Sequence, residues 1–361
     1  MEVKVVTGAN YGDEGKGMVS YALANEAVQK NKKVLTVFYN GGIQRAHTAN
    51  DQILHCIGAG NLVGGTTYYD KMFVVDPIAL WMTNSEVIIH PLCRMVLPCD
   101  VMRNREKEIA RGVAKHGSCG LGIFECVKRS KNPNYEMVAF DVSIGSLHVY
   151  DKVKNIQKVY SYDLDDELYT MDNFIKACEY VRTKCRIATL DLIAHEFDTI
   201  IFEGGQGLLL DQQNVGDFPH LTPSSVGSYN IHETIENLGA ESNDIYYVSR
   251  SYMTRHGAGP MEAECSKADI NASIVDATNM PNDWQGSLRF GKIDKDSLAR
   301  RIIGDFSRYK NANMNMVFTQ MNYTNGKIAT VDGLTDVSEI LLPQATLWLS
   351  DQKDVINKIS I

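Results

Sequence analysis

Several things are scarce in this sequence, and each scarcity excludes a class of protein. Proline occurs only 9 times in 361 residues, and no internal repeat or low-complexity tract is visible. Collagen-like and disordered chains are thereby ruled out. Positive charge is also short, with 36 Lys and Arg against 44 Asp and Glu, a net charge of -8 and a pI near 5.6. Such a surface has no global basic footprint for duplex nucleic acid or an anionic membrane, so any polyanion bound must be small. No apolar run approaches the roughly 18 residues of a membrane helix, and Met1 to Gly8 reads as a strand and not a signal peptide. A cytoplasmic location is expected. The 8 cysteines form no CxxC pair and show no zinc-ligand spacing, in a chain too large for a disulfide scaffold. They are expected to be reduced and mostly buried, and no structural metal is expected.

What is present describes a soluble globular protein: 44% hydrophobic and 22% charged residues, with mean hydropathy -0.21. The length admits two domains, but α/β folds run beyond about 250 residues as one, so 1–361 is read as a single elaborated domain. Short β-branched runs recur at Val3 to Thr7, Val34 to Tyr39, Met72 to Val75, Glu86 to Ile89, Thr199 to Glu203, Asp244 to Val248 and Asn315 to Thr319. Between them Met18 to Gln29 and Asn173 to Phe197 carry apolar residues at helical spacing. Alternating strands and helices imply an α/β fold with a mostly parallel central sheet and flanking helices. Polar, turn-rich breaks at Lys128 to Asn134 and Pro281 to Asp283 read as exposed loops. In such sheets ligands collect at the carboxyl ends of strands.

The first such end is unusual. Val3 to Thr7 runs into Gly8-Ala9-Asn10-Tyr11-Gly12-Asp13-Glu14-Gly15-Lys16-Gly17 and then into a helix. Backbone N–H groups and a helix N-terminus there form a phosphate cradle. The loop is not a Walker A motif, because Asn10 and Gly17 stand where glycine and a magnesium-binding hydroxyl are required, and GxGxxG does not fit either. An acid pair in an anion-binding loop repels phosphate unless a carboxylate holds Mg²⁺ or takes a proton. Asp13 is therefore a candidate ligand and base, and Lys16 can neutralise a phosphate oxygen. The second strand ends in Asn40-Gly41-Gly42-Ile43-Gln44-Arg45-Ala46-His47-Thr48. There the glycines permit close backbone approach and His47 supplies a proton donor near neutral pH. The other histidines, His55, His90, His116, His148, His195, His220, His232 and His256, show no metal spacing and read as structural.

The block Gly12 to Gly17, followed by Gly41-Gly42 and Ala46-His47-Thr48, resembles the adenylosuccinate synthetase family, with its GDEGKG and GGxNAGHT motifs. Phe202-Glu203-Gly204-Gly205-Gln206-Gly207 is similar to the family's FEGAQG, Asp217 to Ser225 to its YPxVTSS segment, and Thr254 to Pro260 to TRVGAGP. Five ordered blocks along most of the chain are far more specific than one glycine motif. The resemblance implies a P-loop-like fold and an enzyme that joins L-aspartate to C6 of a 6-oxopurine nucleotide at the expense of a nucleoside triphosphate. It implies that Asp13 removes the N1 proton, that Asp13 and Ala46 hold Mg²⁺, and that His47 protonates or hydrogen-bonds the phosphate passing to O6. By the same mapping Gly12, Glu14, Gly15, Lys16, Gly17 and Thr48 hold the triphosphate, and Thr319, Gln320 and Asn322 its base. Gln44, Gln206 and Thr222 would contact the acceptor nucleotide, with Ser118 and Cys119 replacing a threonine pair on its phosphate. Arg129 would reach into a neighbouring subunit, which implies a homodimer.

The sequence also departs from the family pattern. Asn322 stands where the family's TKLD has the aspartate that accepts from guanine N1 and N2, and Gln320 replaces a lysine. An amide offers one acceptor and two donors, matching adenine, so the donor is expected to be ATP or dATP. A guanine there would leave one donor mispaired, at about 1–3 kcal/mol. Gln44-Arg45-Ala46 replaces Asn-Ala-Gly and changes the acceptor pocket. The aspartate-capturing TGR loop is shortened to Asp283-Trp284-Gln285-Gly286-Ser287-Leu288-Arg289-Phe290-Gly291, leaving Arg289 as its arginine. Trp348 to Lys353 stands where the family has TGP, and Trp348 is expected to pack in the interior. The reduced length, donor motif and acceptor loop look like the phage-type branch, the 2-aminoadenylosuccinate synthetases acting on dGMP. Asp13 opposes that assignment, since serine can replace it in that branch, so IMP stays open as acceptor. A nucleotide-binding switch without acceptor turnover is the reading from another class. The blocks around Gln206 and Thr222 argue against it, because a switch needs no second nucleotide pocket.

Overall fold

The computed structural model describes residues 1–112, 116–276, 286–351 and 354–359. Ten strands form one sheet. In chain order they are β1 (Glu2–Gly8), β2 (Val34–Phe38), β3 (Thr66–Tyr69), β4 (Ile88–Ile89), β5 (Arg186–Ile187), β6 (Thr199–Gly207), β7 (Ser242–Arg250), β8 (Asn313–Thr319), β9 (Thr346–Leu349) and β10 (Asn357–Lys358). Across the sheet they run β10-β9-β8-β7-β1-β6-β2-β3-β4-β5, all neighbours parallel except β9 and β10. The expected mostly parallel α/β architecture is what forms. The order turns around β1, with β7 and β8 on one side and β6 and β2 on the other. A crevice therefore opens at the carboxyl end of β1, where this class of sheet binds ligands.

Strand alternation splits the interior between the two sheet faces. Val3 and Val5 of β1, Ile200 and Phe202 of β6, and Ile245 and Tyr247 of β7 share one cluster. Val6, Ile201, Tyr246 and Val248 face the other side, where helix α1 (Lys16–Gln29) lays Val19, Leu23, Ala24 and Ala27 against them. Period 2 in the strands and spacings of three and four in α1 are the pattern that puts both apolar faces together. A third cluster, holding Cys93, Cys99, Cys126 and Cys178, fills the space among the helices Pro98–Arg111, Ser146–Gln157 and Met171–Lys184.

Four local expectations are corrected. The long helix over Asn173 to Phe197 ends at Lys184, and Arg186–Ile187 instead becomes edge strand β5. Its backbone bonds go to β4, Arg186 N–H to Val87 O at 3.2 Å and Ala188 N–H to Ile89 O at 3.1 Å. No glycine or proline marks this break, so only the open sheet edge decides it. Met72 to Val75 contributes just Val74–Val75, paired with Arg94–Met95 outside the main sheet. Thr66–Tyr69, absent from the expected strands, enters the sheet as β3. The break at Lys128 begins late, because Lys128 and Arg129 close the helix Ile123–Arg129; Arg129 and Ser130 are buried, while Lys128 and 131–134 are exposed. The loop at Pro281 to Asp283, Asp283 to Gln285 of the shortened segment, and Gln352-Lys353 lie outside the described residues. No helix among the described residues is long and apolar enough to cross a membrane.

Candidate active site

The loops leaving β1, β2, β6, β7 and β8 enclose a cavity of about 730 Å³, within the roughly 300–1,000 Å³ of small-molecule sites. Gly12 to Gly17, Gln44 to Thr48, Gln206, Cys119, Thr319, Gln320 and Asn322 all line it. Fifteen of the nineteen residues singled out from the sequence are thus brought to one place by a chain that never sets these blocks side by side.

The β1 loop is shaped by its glycines. Gly12 and Gly15 have φ of +105° and +95°, values open to glycine, and Asp13 follows at +53°. Gly15 ends the loop where α1 starts, with no side chain capping the helix. The first N–H groups of α1 are therefore left for an anion. Glu14 turns inward: its Oε1 accepts from Asn10 N–H at 2.5 Å, and a side chain on Gly8 would collide with its Oε2 at 2.0 Å. Lys16 Nζ lies 3.8 Å from Glu14 Oε2, both side chains nearly fully buried. Burial pushes the Glu14 carboxyl up and the Lys16 ammonium down. A phosphate beside Lys16 would favour its charged form. Thr319 of β8 donates through Oγ1 to Glu14 O at 2.8 Å, fastening the loop to the neighbouring strand end.

His47 stands directly beside the end of this loop: a side chain on Gly17 would lie 2.7 Å from His47 Cβ. It is 7% exposed, and Nδ1 lies 2.7 Å from Glu203 Oε1 on β6. Glu203 Oε2 accepts from Ala59 N–H at 3.1 Å. A carboxylate has only lone pairs, so this contact needs the proton on Nδ1. Arg45 Nη2, 2.6 Å from the same nitrogen, is also a donor and could bond it only in the other tautomer, so an ionised Glu203 is what favours Nδ1–H and leaves Nε2 as the other ring nitrogen. Nε2 is buried and without a partner in the protein. Burial, then the charges of Arg45 and Lys16, bring His47 down to about 4, so the expected proton donor near neutral pH is a neutral ring in this structure. Burial works to raise the Glu203 carboxyl, but Arg45 and His47 outweigh it and hold it low. Arg45, expected to remodel the acceptor pocket, packs its guanidinium 3.5 Å from the centre of the Phe38 ring and pairs with Glu203. Buried oxygens of Gln44 and Gln206 likewise have no protein partner.

Four assignments fall elsewhere. Arg129 is 0% exposed: Nη2 donates to Asp100 Oδ2 at 2.8 Å and Nε to Oδ1 at 2.9 Å, with Met95 O and Tyr135 O as further acceptors. It cannot reach a neighbouring subunit, because leaving would strand the buried Asp100 carboxylate. Thr222 lies in a separate small crevice with Gly41, Met72 and Val74 and does not line the main cavity. Ser118 turns to the helix Pro98–Arg111, where its Oγ accepts from Asn104 Nδ2 at 2.9 Å, while Cys119 alone faces the cavity. Arg289 binds Gly257 O at 3.1 Å, Gly259 O at 2.9 Å and the Glu264 carboxylate at 2.7 Å, outside the cavity lining. Trp348 packs near Tyr246 and donates to Asn315 at 2.9 Å, and it does not line the cavity.

Other cavity residues had gone unassigned. His256, read as structural, places Nε2 3.2 Å from Asp13 Oδ2. Arg250, at the end of β7, donates to Asp13 O and pairs with Asp276 at 2.7 Å. His256 sat inside a matched block and could have been suspected, whereas Arg250 carried no signal. Asp354 accepts from Asn50 N–H at 2.9 Å and 3.0 Å, joining the segment after β9 to the turn that follows His47. Among the described residues no cluster of three or more His, Cys, Asp or Glu could hold a metal by itself. Asp13 offers one carboxylate, and Ala46, an exposed residue of the cavity lining, a main-chain carbonyl.

Residues 5–289 match the family model described as adenylosuccinate synthetase. The adenylosuccinate synthetase of Psychrobacter arcticus is 27% identical over 332 residues, 83% of this chain and 73% of its own length. That of Clostridium perfringens is 26% identical over 293 residues, 73% of this chain and 66% of its own. Two solved structures share the fold. The fully ligated Plasmodium falciparum adenylosuccinate synthetase has a TM-score of 0.71 at 16% identity, covering 99% of this chain and 88% of that one. The succinoaminodeoxyadenylate synthetase of cyanophage S-2L, bound to dGMP and dATP as an energy donor, has 0.67 at 14% identity, covering 100% and 96%.

Proposed function

This chain belongs to the adenylosuccinate synthetase family of carbon–nitrogen ligases, and from that premise we propose that it joins L-aspartate to C6 of dGMP with ATP or dATP as donor. The observation that carries this reading is Asn322 on the cavity rim, beside Gln320 and Tyr323 at the end of β8. An amide pairs with adenine where an aspartate would pair with guanine. A donor site built for adenine keeps apart two nucleotides when the acceptor is itself a guanine nucleotide. The cyanophage enzyme with dGMP and dATP bound shares this fold and supports the same pairing.

In this scheme the donor's phosphates lie on the start of α1, with Lys16 against a phosphate oxygen. Asp13 takes the N1 proton of the acceptor, which makes O6 nucleophilic; O6 attacks the γ-phosphorus and ADP or dADP leaves. The aspartate amine then attacks C6 and releases phosphate, forming the C–N bond. His47 faces the transferring group with Nε2, its ring held by Glu203. As negative charge gathers before it, the ring can take a proton and hydrogen-bond that charge. One carboxylate and one carbonyl, completed by phosphate oxygens and water, fit Mg²⁺. Held by Asp13 and Ala46, the ion would neutralise phosphate charge. A homodimer is part of the proposal, without Arg129 as its link.

Asp13 favours a second reading, IMP as acceptor, since a carboxylate beside the purine leaves less room for a 2-amino group. Incubation with Mg-ATP, L-aspartate and each of IMP, GMP and dGMP separates the two. We expect succinylated product from dGMP; product from IMP alone refutes the first reading. Phosphate release without any acceptor favours a switch.

A further inference from the structure

Arg45 lines the cavity yet is buried to 3% exposure. Its guanidinium stacks on Phe38 at 3.5 Å, Nη1 donates to Glu203 O at 3.0 Å, and Nη2 pairs with Glu203 Oε1. Nη2 also lies 2.6 Å from His47 Nδ1. With Nδ1 protonated, both nitrogens are donors converging on one carboxylate oxygen, whereas Nη2 could bond Nδ1 only if that nitrogen carried no proton. Burying Glu203, at 0% exposure, as an anion is strongly unfavourable unless a cation sits against it. Arg45 is the cation in contact; Lys16, the other charge facing His47, is engaged with Glu14.

We propose that Arg45 is a positioning residue that keeps Glu203 an anion behind His47 and so fixes His47 with its proton on Nδ1 and Nε2 turned to the cavity. A neutral or protonated Glu203 could present a hydrogen to Nδ1 and send the ring proton to Nε2. An anionic Glu203 can only accept. The ring is then oriented as in a Ser-His-Asp triad, with the carboxylate setting the tautomer and supporting the charge that develops on the ring during transfer. Arg replaces a small residue of the family motif here, so the device belongs to this chain's own loop.

The proposal rests on the ligase reading for its consequence in turnover, but its structural half does not. Full-length, ligand-free protein carrying ¹⁵N-histidine is examined at neutral pH by long-range proton–nitrogen correlation, which reports which ring nitrogen is protonated. Wild type is expected to show His47 with a protonated Nδ1. Arg45→Met is expected to show a mixture or Nε2–H, and Arg45→Lys, which keeps the charge without the fork, to retain Nδ1–H. In turnover, Arg45→Met is expected to lower kcat by about 10- to 100-fold, the range for partners that act through an oriented ligand. Its KM values are expected to stay within about threefold, as when ground-state binding is untouched. If Arg45→Met does not fold, Arg45→Gln, polar but uncharged, takes its place. A wild-type ring protonated on Nε2, or an uncharged variant with unaltered tautomer and kcat, overturns the proposal. A failed acceptor assay with the expected tautomers counts against the ligase reading alone.

Discussion

Gly17 offers a direct measure of how closely the phosphate loop and His47 must approach. A methyl group there would lie 2.7 Å from His47 Cβ and 3.1 Å from Thr48 O. Carbon atoms settle at about 3.5–4.0 Å, so the start of α1 and the strand His47–Ala49 must part by about 1 Å. Neither obstacle is the end of a flexible side chain; one is the root of His47 and the other is backbone. Overpacking of this kind costs about 1–3 kcal/mol, and a 1 Å misplacement of a catalytic group costs about 100-fold in rate. For Gly17→Ala we expect a kcat about 100-fold lower, with a smaller change in donor KM, because the loop amides move with the helix while His47 is left behind. Steady-state kinetics with the productive acceptor is the assay, alongside urea unfolding. Gly304→Ala is the control: it lies in the helix Lys295–Phe306 with open space around its Cβ. It is expected to gain about 0.5–1 kcal/mol at unchanged kcat. A Gly17→Ala enzyme with wild-type kcat would refute the claim that the two elements work in contact.

Other expectations follow from single contacts. Arg129→Met strands the Asp100 carboxylate among apolar neighbours and should cost about 3–5 kcal/mol in urea unfolding, with the sedimentation behaviour unchanged; altered association at unchanged stability would restore a role between subunits. Asn322→Asp should move the ratio of kcat/KM for ATP and GTP toward GTP by about tenfold, the low end for an exposed hydrogen-bonding pair. An unmoved ratio means Asn322 does not read the base. Asp141 is pushed up by burial, but Lys152 at 2.7 Å, Val138 N–H at 2.9 Å and His148 at 3.0 Å outweigh it and lower its pKa. Its stabilising effect is therefore complete above the unfolded value of about 3.9 and disappears as pH falls through the lower folded value. Asp141→Asn should flatten the stability profile in that acid range; an unchanged profile would show that the pairing has no net effect.

Much of the site was legible along the chain because its chemistry is local. Gly12 and Gly15 announce a positive-φ turn, Lys16 and the helix behind it announce an anion, and the period-2 runs at Val3 to Thr7 and Asp244 to Val248 announce strands. Backbone conformation and apolar periodicity depend on near neighbours, so residue types and spacings suffice to read them. The order of motif blocks carried the family for the same reason.

Contacts between distant segments were decided only by the folded chain. Arg45 looked like a charge added to a nucleotide pocket until the pairing of β2 with β6 set Glu203 behind it, 158 residues away. Arg129 looked free in a polar stretch until the helix Pro98–Arg111 brought Asp100 against it. His256 meets Asp13 because β1 and β7 are neighbours, and Arg186–Ile187 leaves a helical pattern because a sheet edge needs its backbone. A buried charge takes whichever partner the packing brings, and its cost without one is large. Sequence by itself determined which groups could do chemistry here. Desolvation and the closing of the parallel sheet decided which of them face the cavity and which are spent holding its walls.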